Sequence, residues 1–353
     1  MTAWQLLVVI ALIQGVVLIG LMLLILVNRW VRGRARARLE PRRVVLDTAM
    51  KGWALGEVEA GMVVRGLEAL PTAAAVDSLV AWATRLPGER WRALAVELEH
   101  RPWAARLRAA ARSRKWWKRM QAARFLSVVS TPADREILGR LLGDAHPAVH
   151  IAAAGALERT TDSRLVALAL ERVPDMMSPV QAYYAAVLRQ AHPVAVPLLA
   201  ERLTRVYDPA LPRIVEFAGR LGDAGLREPI TALADHRSSE VRVQVARALG
   251  AFPHPRSVTA LCDLATDSVW EVRAQAARSL GRIADHTTLK TLTARLGDAV
   301  WWVRLRAALA LTRLGAPGRD ALLTAETGAH PDARYVARLI LGLSSQALAE
   351  FAA

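Results

Sequence analysis

The stretch WEVRAQAARSLG at residues 270–281 recurs along the chain with a period of about 31 residues. Its clearest copies place Arg242, Arg273 and Arg304 at intervals of 31 residues, and we call the position of these arginines the register position. Arg119, His150 and Gln181 are also 31 residues apart, and Arg213 and Arg334 fill the remaining positions at intervals of 29 to 32 residues, which gives eight copies. A fixed period of this length is typical of a solenoid of stacked repeats.

Each copy carries the signals of short helices. An aspartate lies five to seven residues before the register position, where a carboxylate can cap free helix amides. These aspartates are Asp144, Asp175, Asp208, Asp235, Asp267 and Asp298. Apolar and small residues follow at helical spacing, and a pair such as Leu280-Gly281 is expected to end the helix in a left-handed cap. Two short helices per copy bury their apolar faces only against neighbouring copies, so the pattern predicts an all-α, α-α superhelical solenoid over residues 111–353.

The order Asp, Val-Arg, Ala-Ala and Leu-Gly resembles the HEAT repeat, in the subtype of phycobilisome-lyase-like proteins. The resemblance implies about eight HEAT-like repeats, in which the Val-Arg helix is the inner, concave one and its arginine forms a ladder with aspartates of neighbouring repeats. The implied ladder residues are Asp235, Asp267, Asp298, Arg242, Arg273 and Arg304. His150 and Gln181 lack the base and Pro212 precedes Arg213, so we expect an interruption in the middle of the ladder.

The N-terminal 28 residues are uncharged and rich in Leu, Val and Ile. As a helix, residues 4–27 would extend over roughly 35 Å, which is enough to cross the hydrocarbon core of a bilayer. We therefore expect a transmembrane anchor at residues 1–28. Residues 29–43 hold seven arginines and one acid, which predicts a basic juxtamembrane segment on anionic headgroups, with the N-terminus outside and the repeats in the cytoplasm. These features predict a single-pass protein of the inner (cytoplasmic) membrane.

Residues 44–110 read as helical but lack the 31-residue period, and Pro71 and Pro87-Gly88 mark turns within them. Solenoids need an atypical end unit that covers the exposed core of the first repeat. We expect residues 44–110 to be such an irregular helical cap.

The formal net charge of +15 on 353 residues raises the question of a nucleic-acid partner. Part of this charge lies in residues 101–119, where eight basic residues are interleaved with Trp103, Trp116 and Trp117. Such a basic tryptophan cluster can hold phosphates while the indoles stack on bases or sugars. Certain DNA glycosylases use HEAT-like solenoids with such surfaces, so a nucleic-acid-binding or lyase-type HEAT-like enzyme is the alternative function. We favour a protein partner over nucleic acid, because much of the remaining charge belongs to the juxtamembrane segment.

Motifs of catalysis are absent from the sequence. It has no Gly-rich phosphate loop, no Gly-x-Ser-x-Gly elbow, and no His-Glu pair of the kind that HEAT-repeat di-iron hydroxylases use. The repeated aspartates are already explained as turn and ladder residues. We therefore expect a protein that is not an enzyme and holds no metal or cofactor.

Tryptophans at the predicted starts of register helices are candidates for partner binding. Trp270 and Trp301 precede their register positions by three residues, and Trp302 precedes its own by two. Since equivalent positions align in stacked repeats, we expect these three indoles to form one aromatic patch of the kind that dominates binding hot spots. Alternatively, the indoles pack on neighbouring turns. The candidate partner-binding residues are Trp116, Trp117, Arg119, Trp270, Arg273, Trp301, Trp302 and Arg304.

Together these features predict a membrane-tethered scaffold or adaptor that presents a HEAT-repeat surface to another, membrane-associated protein. As a whole, the chain resembles bacterial membrane-anchored HEAT proteins found beside membrane glycosyltransferases. This resemblance implies an accessory role to a membrane glycosyltransferase or in polysaccharide assembly.

Overall fold

A computed structural model describes residues 3–86, 88–159 and 162–352 of the chain; the side chains of residues 3–13 are among those that lie outside this description. Throughout these ranges the regular elements are helices, which agrees with the predicted all-α class. The contacts divide the chain into two compact units, Met1–Ile137 and Leu138–Ala353. The predicted domain border at residues 110 and 111 falls within the first unit, and those at residues 28 and 43 fall within its first helix.

In the part of the first unit that the structure describes, six α-helices precede α7 (Arg135–Leu142), which crosses the border between the units. They are α1 (Ala3–Leu55), α2 (Ala60–Glu68), α3 (Thr72–Ala83), α4 (Glu89–Glu99), α5 (Pro102–Ala110) and α6 (Trp116–Val129). Helices α3, α4 and α5 pack against α6, where Phe125 and Leu126 are fully buried. The indole of Trp91 donates to the Val128 carbonyl at 2.5 Å, and the Trp103 ring lies 5.4 Å from that of Phe125. Large aromatic side chains thus supply the core that this non-repetitive part of the chain needs, although the buried indole nitrogen of Trp103 has no hydrogen-bond partner among the described residues.

The prediction of a single-pass inner-membrane protein is wrong. Over the residues that the structure describes, no helix carries an apolar stretch long enough to cross a membrane. The predicted anchor at residues 1–28 lies partly outside the described residues, and the run of exposed large apolar side chains described there extends from Val16 to Val27. The helix does not stop there but continues through the arginine-rich residues to Leu55. The lipid contacts expected of residues 1–28 and 29–43 lose their basis with the span.

The second unit alternates between helices that carry the register positions and helices that connect them. The register helices are α8 (Pro147–Ala154), α10 (Ser178–Gln190), α12 (Leu211–Leu221), α14 (Ser239–Leu249), α16 (Trp270–Ile283), α18 (Trp301–Thr312) and α20 (Pro331–Leu341). The others are α7 (Arg135–Leu142), α9 (Ser163–Glu171), α11 (His192–Leu203), α13 (Arg227–Thr231), α15 (Pro255–Leu264), α17 (Leu289–Arg295), α19 (Ala316–Thr327) and α21 (Ser345–Ala352). Each register helix packs against the next one along the chain, which is the stacking expected of a solenoid. An eighth register helix, α6, carries Arg119 in the first unit.

Glycine sets how closely the register helices approach one another. A Cβ on Gly281 would lie 2.6 Å from the Cβ of Ala310, and one on Gly250 would lie 2.8 Å from the Ser279 hydroxyl oxygen. Gly219 meets Ala248 in the same way, at 2.7 Å. The three glycines are 31 residues apart, so the same contact recurs between α12 and α14, α14 and α16, and α16 and α18.

Leu-Gly pairs were expected to end register helices in left-handed caps at Leu221-Gly222, Leu249-Gly250 and Leu280-Gly281, and one of these three pairs does so. Gly222 caps α12 with φ of 70°, as expected. Gly250, by contrast, has φ of −62°, and α16 continues past Gly281 to Ile283. The glycine cap was therefore a wrong interpretation at Gly250 and Gly281, where glycine serves helix contact instead of chain reversal.

Gly281→Ala should destabilise the second unit by about 1–3 kcal/mol, because the new methyl group would meet the backbone of Ala310 and force α16 and α18 apart. Gly139→Ala in α7 is the matched control. There the new Cβ would meet only the flexible Leu168 side chain, at 3.4 Å. Since alanine has the higher helix propensity, we expect a change between zero and a gain of about 1 kcal/mol. Urea unfolding of both variants makes the comparison, and equal losses would contradict the role assigned to Gly281.

Candidate interaction surface

Ion pairs join consecutive register helices in the second unit. Arg242 on α14 donates from Nε and Nη2 to both carboxylate oxygens of Asp267, at 2.7 and 2.9 Å. Arg273 on α16 does the same to Asp298, at 2.8 and 2.9 Å. In both pairs the arginine reaches 25 residues forward, to the loop that leads into the next register helix. Such bidentate pairs fix geometry as well as supplying attraction.

The aspartate of each pair also orders its own loop. Asp267 accepts from the Val269 amide at 2.8 Å, and Asp298 accepts from the Val300 amide at 2.9 Å. One carboxylate thus satisfies a free amide just before a helix and the guanidinium of the previous repeat. Asp235, the third predicted ladder aspartate, is exposed. The pKa of Arg242 is raised mainly by the hydrogen bond to Asp267, and the charge of Asp235 raises it by a smaller amount.

The remaining guanidinium nitrogen holds the loop that precedes the arginine's own helix. In Arg273, Nη1 donates to the Asp267 and Ser268 carbonyls at 2.8 and 3.1 Å. Arg242 and Arg304 make the same two bonds to the carbonyls six and five residues earlier. In the first unit Arg119 does so as well, with Ser113 and Arg114. We call this contact the loop clasp.

The pairs keep their charges because hydrogen bonding outweighs burial. Burial raises the pKa of Asp298, but the hydrogen bonds from Arg273 and the Val300 amide lower it by more than burial raises it. The pKa of Asp298 therefore lies below the ordinary value. Asp267 has a lowered pKa for the same reasons, with Arg242 as donor. A carboxylate whose pKa is lowered by folding stabilises the fold above its ordinary pKa and stops doing so as the pH falls through the lowered one. The ladder therefore contributes fully near neutral pH and weakens below about pH 4.

Other side chains take over where the register position lacks a ladder arginine. Buried Gln181 donates to the carbonyls of Val173 and Met176, at 3.0 and 3.4 Å, and so clasps the loop before α10. His150 contacts the hydroxyl of Tyr184 at 3.1 Å, and that hydroxyl donates to the His150 carbonyl. Burial raises the pKa of the Tyr184 hydroxyl and, with the charge of Arg172 as a smaller cause, lowers the pKa of His150. Neutral hydrogen bonds thus replace charged pairs in the middle of the register series.

The ladder ends at Arg304. Its clasp is in place, but its Nε is buried and has no hydrogen-bond partner among the described residues. Counted back six residues from Arg334, the aspartate position of the next repeat is occupied by Gly328. The Arg304 guanidinium instead lies 3.5 Å from Asp332, whose side chain is more than half exposed.

Arg273→Ala should destabilise the protein by about 1–3 kcal/mol, because it removes the clasp and leaves the buried Asp298 carboxylate without its bidentate donor. Arg319→Ala, at an exposed arginine of α19, should change stability by less than about 0.5 kcal/mol. Thermal unfolding at neutral pH compares them. Indistinguishable losses would show that the ladder does not stabilise the fold.

Gly328→Asp should extend the ladder by one pair and raise stability by about 1 kcal/mol, the typical net gain from a satisfied hydrogen-bonded group. The φ and ψ angles at Gly328, −72° and 171°, suit any residue type. Gly328→Asn is the control, because the asparagine side chain has nearly the same shape as that of aspartate but carries no charge. If the two variants melt at the same temperature at neutral pH, an ion pair between position 328 and Arg304 does not add to the stability of the fold.

The structure leaves most of the predicted tryptophans accessible. We define the tryptophan edge as Trp270, Trp301 and Trp302, at the starts of the neighbouring helices α16 and α18. Trp302 is 52% exposed and Trp270 is 37% exposed. Trp301 is half-buried, with its ring 5.7 Å from that of Tyr335 and 5.8 Å from the Arg304 guanidinium carbon. Trp301 thus packs on the next repeat, whereas Trp270 and Trp302 face solvent. The arginines predicted beside them, Arg273 and Arg304, are engaged in the ladder and the clasp.

The basic tryptophan cluster in the first unit is partly neutralised. Arg108 makes a bidentate pair with Asp134, at 2.7 and 3.1 Å, and Arg101 pairs with Glu97. The rings of Trp116 and Trp117 are exposed and meet edge to face, with their centroids 6.3 Å apart. In addition, the Lys115 ammonium lies 5.3 Å from the Trp117 ring.

A set of arginines in the second unit escaped the sequence analysis. They line one cavity between α14, α16 and α18 and are Arg247, Arg278, Arg282, Arg306 and Arg313. A signal for them was available, since Arg247 and Arg278 are 31 residues apart, as are Arg282 and Arg313. As for metals, the described residues contain no group of three or more His, Cys, Asp or Glu side chains that could hold an ion.

Comparison with known proteins identifies the repeats. Residues 196–274 and 261–342 match the family model of HEAT repeats, so this part of the chain carries HEAT repeats, as predicted. No curated protein matches the chain.

Three solved structures illustrate the similarity in fold. Escherichia coli YibA is 16% identical, with 73% of this chain and 99% of that chain covered and a TM-score of 0.34. The CpcE–CpcF complex of phycocyanin lyase from Nostoc sp. PCC7120 is 19% identical, with coverages of 68% and 94% and a TM-score of 0.29. Kap121p bound to RanGTP is 13% identical, with coverages of 84% and 45% and a TM-score of 0.36.

Proposed function

We propose that the protein is a scaffold that binds a protein partner through the tryptophan edge of its second unit. The observation that carries this proposal is the exposure of Trp302 and Trp270, two large apolar side chains on neighbouring helix starts. Solenoids of stacked repeats offer extended surfaces for partners, and HEAT-repeat proteins commonly use them in this way. Tryptophan is among the residues most enriched at the centres of protein interfaces.

The loop clasps favour binding at this edge. The Nη1 atoms of Arg273 and Arg304 tie the loops before α16 and α18 to those helices, so the indoles project from backbone that is already ordered. Groups that are fixed before binding lose less entropy when a partner arrives. In this proposal the two arginines position the edge, and Trp270 and Trp302 make the contact.

We propose binding rather than catalysis as the activity. The ladder aspartates would be the most abundant candidates for acid–base chemistry, but Asp267 and Asp298 are occupied by arginines and amides and have lowered pKa values. An accessory role beside a membrane glycosyltransferase rested on a membrane anchor, and the scaffold proposal does not include it.

Nucleic-acid binding through the first unit is the second candidate. The exposed rings of Trp116 and Trp117, with Lys115 beside them, favour it, because such rings can stack on bases. The ion pairs of Arg101 and Arg108 count against it, since two of the basic side chains already have carboxylate partners. We therefore rank it below protein binding.

Replacing both Trp270 and Trp302 with Ala should abolish recovery of the partner while leaving the fold intact, because central tryptophans commonly contribute about 2 kcal/mol or more each. The measurement is quantitative mass spectrometry of the proteins that co-purify with each variant after chemical crosslinking in cells. Tyr207→Ala is the control, because Tyr207 is an aromatic side chain of the same unit that is 79% exposed and lies outside the edge.

Two results of this comparison are informative. Loss of a specific partner in the double variant, with unchanged circular dichroism melting and normal recovery by the Tyr207 control, supports the proposal. Equal recovery by all forms contradicts it. Fluorescence anisotropy with a single-stranded oligonucleotide, compared between the native protein and a Trp116→Ala, Trp117→Ala variant, tests the nucleic-acid candidate separately.

A further inference from the structure

The arginine-lined cavity is a separate feature of the second unit. It has a volume of about 370 Å³, within the size range of small-ligand pockets, and is lined by α14, α16, α18 and Phe351 of α21. Five arginines contribute to its lining, and the described lining residues include no aspartate or glutamate. The surface of the cavity is thus strongly positive, although α14 and α16 also carry the acids Glu240 and Glu271.

The repeat explains how these arginines come together. Arg247 and Arg278 occupy the position five residues after the register arginine, and Arg282 and Arg313 occupy the position nine residues after it. Because consecutive register helices pack side by side, a residue type repeated at one position forms a row across them. Arg306 adds a fifth charge at a position where the two preceding repeats carry Gln244 and Gln275.

The cluster places like charges close together in a partly buried setting. Burial lowers the pKa of Arg306, and the charge of Arg278 lowers it further. A second, smaller cavity of about 270 Å³ shares Arg247 and Arg282 with the first. In the second cavity the Arg220 guanidinium lies 2.8 Å from the Glu216 carboxylate, so the charge of this arginine is balanced by an anionic group.

We propose that the arginine-lined cavity binds a small molecule through a phosphate or diphosphate group. Guanidinium groups present planar pairs of donors that match phosphate oxygens, and several of them can address one phosphate at once. A single carboxylate offers one charge and two oxygens, whereas a phosphate offers up to two charges and three free oxygens to donors from three helices. The cavity volume suits such a group and is too small for a folded segment. This site is independent of the tryptophan edge and of the scaffold proposal.

Isothermal titration calorimetry of the full chain with sodium pyrophosphate, at constant ionic strength, tests the site directly. Inorganic phosphate is the second probe and sodium sulfate measures unspecific anion binding. We expect saturable binding of pyrophosphate that is tighter than that of sulfate. The Arg278→Gln, Arg306→Gln variant should bind pyrophosphate at least about tenfold more weakly, because each lost charge-assisted bond is worth 1.4 kcal/mol or more. Arg319→Gln, which removes an exposed arginine outside the cavity, should bind like the native protein.

Folding and alternative ligands are controlled in the same experiment. Circular dichroism melting should show the cavity variant folded, since it removes a pair of like charges, and an Arg247→Gln, Arg282→Gln variant repeats the test with other residues of the lining. The proposal is wrong if pyrophosphate binds no better than sulfate, or if both cavity variants bind it as the native protein does. It is also wrong if only a single-stranded oligonucleotide or polyglutamate binds at this surface and pyrophosphate does not compete. Loss of pyrophosphate binding with normal recovery of the protein partner would separate this site from the tryptophan edge.

Discussion

The guanidinium of the register arginine is the group that couples α14, α16 and α18 to one another. In Arg273 it joins three pieces of backbone: its own helix α16, the loop before that helix, and the loop that leads into α18. Apolar contacts alone do not fix the rotation of one helix against the next, because a row of Ala and Leu tolerates small shifts. A bidentate pair on one side and two carbonyl bonds on the other allow little shift, and they hold α16 against α18 where Gly281 meets Ala310.

The repeated part of the fold could be predicted from the sequence because its physical cause is itself periodic. The interval between Arg242, Arg273 and Arg304 places each of these residues in a helix, and the aspartates near them precede helix starts. The direction of the pairs was also accessible to counting, since Arg242 and Asp267 are separated by the same 25 residues as Arg273 and Asp298.

Other features depended on contacts that a linear pattern does not contain. Leu-Gly at a helix end is compatible with a cap or with a close helix contact, and only the position of Ala310 decides between them for Gly281. The N-terminal prediction rested on length and apolar composition, but over the described residues no helix carries an apolar stretch long enough to cross a membrane, and α1 continues through the arginines to Leu55. The sequence likewise left open whether the tryptophans are exposed. Trp301 and Trp302 are adjacent in sequence, but the ring of Tyr335 packs on Trp301, whereas Trp302 is exposed.

The open end of the ladder at Arg304 has a consequence for the dynamics of the molecule. In a linear array each repeat is held only by its neighbours, so local opening begins where the coupling between neighbours is weakest. Between α16 and α18 the coupling includes a buried bidentate pair, whereas α20 has buried apolar residues such as Val336 but only the exposed Asp332 as an ionic partner of Arg304. The backbone amides of α20 and α21 should therefore exchange with solvent through a partial opening that leaves α14, α16 and α18 folded. The solenoid would then have a graded stability along its length, with a protected centre and a C-terminal repeat that opens and closes on its own.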